Sequence, residues 1–186
     1  SWGPGNQQAI ARARAHLGAA RNMTDTMAAL TALSHMDCPE RDEKMDAFYE
    51  RYESDPLVID KWFTLQAISD RRDTPEKIAY LTEHAAFSWR NPNRVRSLLG
   101  AFATLNPAAF HRNDGAGYRI VADAVSTLDK INPQVAARLL GAFKNWKIVD
   151  KGRQAHAKSV LQSISDKPGI SKDVSEIAGK CLTENN

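Results

Sequence analysis

Apolar residues recur along this chain at intervals of three and four, not two. Val95, Leu98, Leu99 and Phe102 occupy positions i, i+3, i+4 and i+7, which puts them on one face of a helix. The same face returns 41 residues later as Ala136, Leu139, Leu140 and Phe143. Between them, Tyr118, Val121, Val125 and Leu128 form a similar stripe. No segment sustains the alternation of a strand, so the elements are read as helices. The most apolar stretch, LVIDKWFTLQAI, carries Asp60 and Lys61 at helix-compatible positions and predicts a largely buried helix. Further helices are predicted over residues 7–20, 24–36, 39–54, 75–86, 151–164 and 172–182.

Prolines punctuate this pattern. Six of the eight follow a residue that can cap or precede a helix: Cys38-Pro39, Asp55-Pro56, Thr74-Pro75, Asn91-Pro92, Asn106-Pro107 and Asn132-Pro133. Proline in the first turn sacrifices no hydrogen bond, because that N–H has no intrahelical partner, and Asn, Asp or Thr before it can cap the free amides. The spacings of 17, 19, 17, 15 and 26 residues each leave room for a helix and a turn, the period of stacked hairpins. One unit is written twice: NPNRVRSLLGAF (91–102) returns as NPQVAARLLGAF (132–143), with seven of twelve positions identical. A 41-residue unit of two helices has the size of an armadillo or HEAT-like repeat, whose hairpins cover their apolar faces only by stacking on neighbours. The fold class read from the sequence is all-α, an α-solenoid or superhelix of antiparallel helix pairs forming a single helical-repeat domain over residues 1–186. Gly100 and Gly141 fall in mid-helix at equivalent positions, where glycine costs ~1 kcal/mol relative to alanine. The expectation is that a neighbouring helix passes close by each.

Composition narrows the functional classes. With 42% hydrophobic and 25% charged residues, the 186-residue chain can bury a sizeable core. Its formal charge of +3 comes from 25 basic and 22 acidic residues that are mostly interspersed, which gives no concentrated field for nucleic acid. Cys38 and Cys181 lie far apart and read as reduced, buried thiols, so a cytoplasmic, reducing compartment is expected. No apolar run approaches the ~20 residues that span a bilayer, and SWGPGNQQ at the start has no signal pattern, so no membrane partner is expected.

The search for chemistry returns absences. His16, His35, His84, His111 and His156 are never within a helical turn of one another, so the paired histidines of a zinc peptidase are missing and no metal or other cofactor is expected in this chain. There is no G-x-S-x-G elbow, P-loop lysine, C-x-x-C pair or H-x-E signature, and so no catalytic residue is assigned. DGAGYRI contains a G-x-G, but no strand precedes it; Asp114 capping a helix that starts near Gly115 is the better account. His111 reads as a surface or capping histidine. Asp42, Glu43, Asp46, Glu50 and Glu53, with Arg41, Lys44 and Arg51 among them, read as a solvated helix face. Lys144, Lys147, Lys151, Arg153 and Lys158 form a basic run that reads the same way. Arg94, Arg96 and Arg138 differ: they sit near the N-terminal halves of the two repeated helices, where guanidinium groups and free amides together present donors to a carboxylate or a peptide carbonyl. Pairing with an acidic residue of an adjacent helix is the alternative.

The blocks NMTDTMAALTAL, LVIDKWFTLQA, FSWRNPNRVRSLLGAF, NPAAFHRNDGAGY and NPQVAARLL resemble the C-terminal helical domain of the bacterial aminopeptidase N family, zinc metallo-aminopeptidases of the gluzincin type. The resemblance runs from about residue 22 to residue 182. It implies that this chain is a non-catalytic C-terminal part of a larger enzyme, with earlier helices of the domain missing. The catalytic domain of the same polypeptide would be its partner and would hold the zinc. It further implies that the helical domain closes over the active-site cavity and limits access of peptide substrates, with Arg96, Gln134 and Arg138 facing that cavity as substrate-channel residues. The segments RRDTPEKIAYLTEH and SISDKPGISKDVSEIAGK depart from the family pattern, so the outer helices there are less closely specified by it. The other reading of the residues is a free-standing helical-repeat adaptor that binds an extended peptide on one surface.

Overall fold

The computed structural model describes residues 4–183, which form twelve α-helices joined by short turns and no strand. These are α1 (Pro4–Ala19), α2 (Met23–Ser34), α3 (Pro39–Tyr52), α4 (Pro56–Ala67), α5 (Thr74–Leu81) and α6 (Pro92–Val95), then α7 (Ala101–Leu105), α8 (Pro107–Phe110), α9 (Ala116–Asp129), α10 (Pro133–Leu140), α11 (Lys151–Ser165) and α12 (Lys172–Thr183). A π-turn, Arg96–Gly100, joins α6 to α7 with helical backbone on both sides, and a 3-10 stretch, Gly141–Ile148, follows α10. Among the described residues no helix is long and apolar enough to cross a membrane.

All six proline pairs mark helix starts, and four use the expected cap. The side-chain oxygen of Asp55 accepts from Leu57 N (3.0 Å), that of Asn91 from Asn93 N (3.0 Å), that of Asn106 from Ala109 N (3.1 Å) and that of Asn132 from Val135 N (3.2 Å). Cys38 makes no such bond before α3. Thr74 is already the first residue of α5, and its hydroxyl donates to the Ser69 carbonyl (2.8 Å). The helix predicted over 75–86 ends at Leu81. There the chain turns so that His84 packs against Tyr49, Trp62 and Phe63, with ring centroids 5.1, 5.2 and 6.0 Å apart, and its Nδ1 accepts from Ala86 N (3.1 Å).

The helices form two layers. The second helix of each hairpin stacks on its counterparts in the order α2, α4, α6–α7, α10, α12. The first helices, α1, α3, α5, α9 and α11, form the other layer, in which α5, α9 and α11 touch in sequence. The three stripes read from the sequence are all buried, with Leu98, Leu99, Phe102, Tyr118, Leu128, Ala136, Leu140 and Phe143 fully so. Both cysteines are free and buried.

Hydrogen bonds between hairpins span one repeat. Ser69 Oγ donates to Ser34 O (2.6 Å) across 35 residues, Asn106 Nδ2 to Ala67 O (2.9 Å) across 39, and Trp146 Nε1 to Cys181 O (2.8 Å) across 35. Arg94 reaches across 34 residues to Asp60 (2.7 Å), also bonds Pro56 O (3.3 Å), and lies 5.4 Å above the Phe63 ring. Several neighbouring hairpins are thus registered on one another by polar groups removed from water, the nearest-neighbour logic of a solenoid.

Two expectations are corrected. No neighbouring helix crowds Gly100 or Gly141: a methyl group on Gly100 would meet the stem of Arg96 at 3.5 Å, and one on Gly141 would meet Lys144 at 4.0 Å. Both glycines instead sit where the helix changes pitch, at the end of the π-turn and at the start of the 3-10 stretch. The close approach belongs to Gly117, where a Cβ would lie 2.4 Å from the Phe110 carbonyl oxygen. The acidic residues of α3 are exposed as expected, yet Arg41 is buried among them, bonding Asp42 and Gln66 (2.7 Å). His111 closes α8 as the capping reading expects, its N–H donating to Pro107 O (2.9 Å), and its ring is half-buried with Nδ1 2.7 Å from the Tyr118 hydroxyl.

Gly117→Ala is expected to lower unfolding free energy by at least ~2 kcal/mol, because backbone has to shift to admit the methyl group. Gly141→Ala should stay within ~1 kcal/mol of the parent, since it gains helix propensity and touches only the flexible end of Lys144 at 4.0 Å. Denaturant titration of both variants separates the two cases. By the same measurement Leu99→Ala or Leu140→Ala, which leave cavities, should each cost ~2 to 5 kcal/mol. Asp60→Ala, which strands the buried guanidinium of Arg94, should cost about 3 kcal/mol.

Candidate functional site

A groove of about 360 Å³ crosses three neighbouring second-layer helices, with Thr64 from α4, Pro92 to Leu105 contributing from the α6–α7 rod, and Val135, Arg138 and Leu139 from α10. The repeated helix that lines it is not regular. Asn91 and Pro92 start α6, but from Arg96 to Gly100 the helix widens into a π-turn, a form often found at functional positions. The hydroxyl of Thr64 on α4 donates to the Ser97 carbonyl (3.1 Å), which fixes the widened turn against its neighbour. Val95, Ala101, Val135 and Leu139 make the groove apolar, and Leu105 at one end is 61% exposed.

Two of the three predicted channel residues meet here. Arg96 and Arg138 both line the groove and are exposed. Arg96 donates to the neutral Asn93 amide oxygen (3.0 Å). Neither arginine forms an ion pair among the described residues. Gln134 lies outside the groove lining, exposed, one helical turn before Arg138 on α10. Arg94, singled out beside them in the sequence, took the alternative role: its charge is answered by Asp60 in the interior.

Several other ionisable groups have local partners. Asp114 accepts from Ala116 N (3.0 Å) at the start of α9, where Gly115 adopts φ 72°. The Arg112 guanidinium beside it, helped by that amide, pulls the Asp114 carboxyl down to about 2. Arg112 also bonds Glu76 across 36 residues (2.9 Å), a cross-hairpin tie with no visible signal in the sequence. Burial, and secondarily the charge of Arg153, lowers the His111 pKa; burial and then Lys77 lower that of His84. In the basic run, Arg153 pairs with Asp150 (3.1 Å) and the Lys147 ammonium lies 5.6 Å from the Trp146 ring. Among the described residues no group of three or more His, Cys, Asp or Glu is placed to hold a metal ion. The arrangement therefore offers recognition chemistry, an apolar trough with two exposed guanidinium groups.

Comparison with known proteins agrees with this architecture. Residues 4–183 match the model of a family described as a domain of unknown function (DUF3458_C) made of ARM repeats. The chain is 38% identical over 173 residues to aminopeptidase N of Caulobacter vibrioides, covering 93% of this chain and 20% of that protein. It is 40% identical over 163 residues to aminopeptidase N of Escherichia coli (88% and 19% covered) and 41% identical over 167 residues to that of Haemophilus influenzae (90% and 19%). A crystal structure of Legionella pneumophila aminopeptidase A in complex with aspartic acid superposes with a TM-score of 0.83 at 38% identity, over 95% of this chain and 20% of that one. The chain thus spans about a fifth of the relatives it matches. Stacked helix pairs along the whole described length, together with a family match over the same residues, make this chain a member of the DUF3458_C ARM-repeat family, related to the C-terminal helical region of aminopeptidase N.

Proposed function

We propose that this chain is the non-catalytic helical domain of a cytoplasmic zinc aminopeptidase, packed over the catalytic domain of the same polypeptide so as to enclose the active site. The observation that carries this reading is 38 to 41% identity to aminopeptidase N over about nine-tenths of the chain. The groove supports it, being an open, partly charged trough on one layer of a rigid stack. The residues of this chain do not suit a zinc site, because its histidines are dispersed and no cluster of ligands is assembled among the described residues. Zinc in this reading belongs to the catalytic domain, where it would activate water for attack on the first peptide bond. This domain would contribute enclosure and part of the path along which peptides reach that site, with Arg96 and Arg138 on its wall and Gln134 one helical turn before Arg138.

Two measurements test the reading. The purified chain with added zinc should not turn over aminoacyl-arylamides, and robust turnover would refute it. In the complete enzyme, Arg138→Ala should raise KM for peptides of four or more residues by about threefold or more, with a smaller change for dipeptides. Its melting temperature should move little, since the side chain is exposed. An equal change at every peptide length would remove Arg138 from the substrate path.

A further inference from the structure

Residues 82–90 carry the chain from α5 to α6 without a helix of their own, and none of them is fully buried. Their backbone bonds are local: Glu83 N donates to Tyr80 O (3.1 Å), His84 N to Leu81 O (3.2 Å) and Phe87 N to His84 O (2.8 Å). Among the described residues no hydrogen bond or ion pair runs from residues 83–90 to α3 or α4, the helices on which the segment lies. Rings fasten it instead. His84 packs on Tyr49, Trp62 and Phe63, and Phe87 packs on Phe63 with centroids 5.9 Å apart. Ala86 and Trp89 add partly buried apolar area. One ionisable side chain thus makes three of the four ring contacts that hold the segment down.

The place His84 occupies suits a neutral imidazole. Its Nδ1 accepts from Ala86 N (3.1 Å), which leaves the ring hydrogen on Nε2. A second proton on Nδ1 would turn that acceptor into a donor aimed at another N–H. The groups that face the ring offer no negative charge in return: Tyr49 from α3, Trp62 and Phe63 from α4, and Lys77 from α5. Arg94 of α6 lies on the Phe63 ring with Asp60 paired to it, and Glu83 within the segment is exposed. His35, by contrast, lies 3.1 Å from the Asp70 carboxylate. Aromatic faces attract cations, but here that gain is set against a lost backbone bond and the withdrawal of a charge from water. Burial first, and Lys77 second, lower the His84 pKa from the ordinary 6.5.

We propose that residues 82–90 are an acid-released strap, which lies against α3 and α4 while His84 is neutral and comes free when His84 takes up a proton, with the helices on either side still folded. The segment is suited to opening alone, because it has no fully buried residue and no hydrogen bond to the helices beneath it. The direction follows from the preference of the closed state for the neutral ring. The closed strap binds the proton more weakly than the open one, so closure is at its fullest above pH 6.5 and is lost as the pH falls from there through the lowered value. Opening uncovers one side of Trp62 and Phe63, both buried while the strap is closed.

Nuclear magnetic resonance of the purified chain, titrated from about pH 7.5 to about pH 4.5, tests this. His84 should be the Nε2–H tautomer at the upper end and should titrate below 6.5. Over the same range amide exchange at Ala86 and Phe87, corrected for its intrinsic dependence on pH, should speed up by as much as about tenfold per pH unit. The amides of Met45, Leu65 and Val121 should stay protected. His84→Phe keeps a ring but takes up no proton, so its exchange at Ala86 and Phe87 should stay level. His111→Asn, the control for the other histidine whose pKa burial lowers, should leave the response in place. Titration of His84 at or above 6.5, its protonation without faster exchange in the strap, or loss of protection at all sites together each overturns the proposal. So does a response that survives in His84→Phe or vanishes in a folded His111→Asn.

Discussion

A single buried side chain shows what holds the stack in register. Asn106 accepts the Ala109 N–H through Oδ1 and so starts α8, while its Nδ2 donates to the carbonyls of Ala67 (2.9 Å) and Ser69 (2.6 Å) just beyond α4. Those carbonyls belong to the preceding hairpin. Ser69 is tied back in turn to Ser34 of the hairpin before it. A helix end left unsatisfied in the interior costs about as much as a lost hydrogen bond, so each hairpin needs the next for its polar groups as well as for its apolar face. These bonds, like the close-packed apolar stripes, fit one register.

The groove depends on that register. Its wall consists of helices 33 to 42 residues apart in sequence, and the bond from Thr64 to Ser97 fixes where the π-turn sits on α4. The π-turn in turn sets Arg96 beside the trough, across from Arg138 on the next helix of the layer. Arg94, two residues before Arg96, is drawn inward to Asp60 and the Phe63 ring and serves as a cross-hairpin tie. Neighbouring arginines on one helix therefore divide into a fastener and a presented charge. What divides them is whether the facing helix supplies a carboxylate.

The sequence pattern of the repeated block predicts a structural unit whose glycines admit a close neighbour. The unit is real, but its glycines mark changes of helical pitch, and the tight contact fell to Gly117 in the G-x-G of DGAGYRI. In that stretch Gly115 takes a positive φ and Gly117 lies against the Phe110 carbonyl, so both glycines have a backbone explanation with no ligand. The helix predicted through 75–86 stopped early for a related reason. Local propensity favours continuing it, but packing His84 against three aromatic rings on α3 and α4 removes that ring from water.

By itself, the sequence determined the all-helical class, the hairpin period, the helix starts at Asn-Pro and Asp-Pro, and the buried stripes, because spacing and capping are properties of residues close along the chain. It also placed Arg96 and Arg138 on the two copies of a repeated helix, one residue apart in the repeat. Only the tertiary structure decided which arginines are answered and which are not, that Arg41 is buried, that Arg112 ties two hairpins, and that Gln134 lies off the trough. Those outcomes depend on what a helix one repeat away presents at the point of contact. Periodicity along one helix carries no record of that.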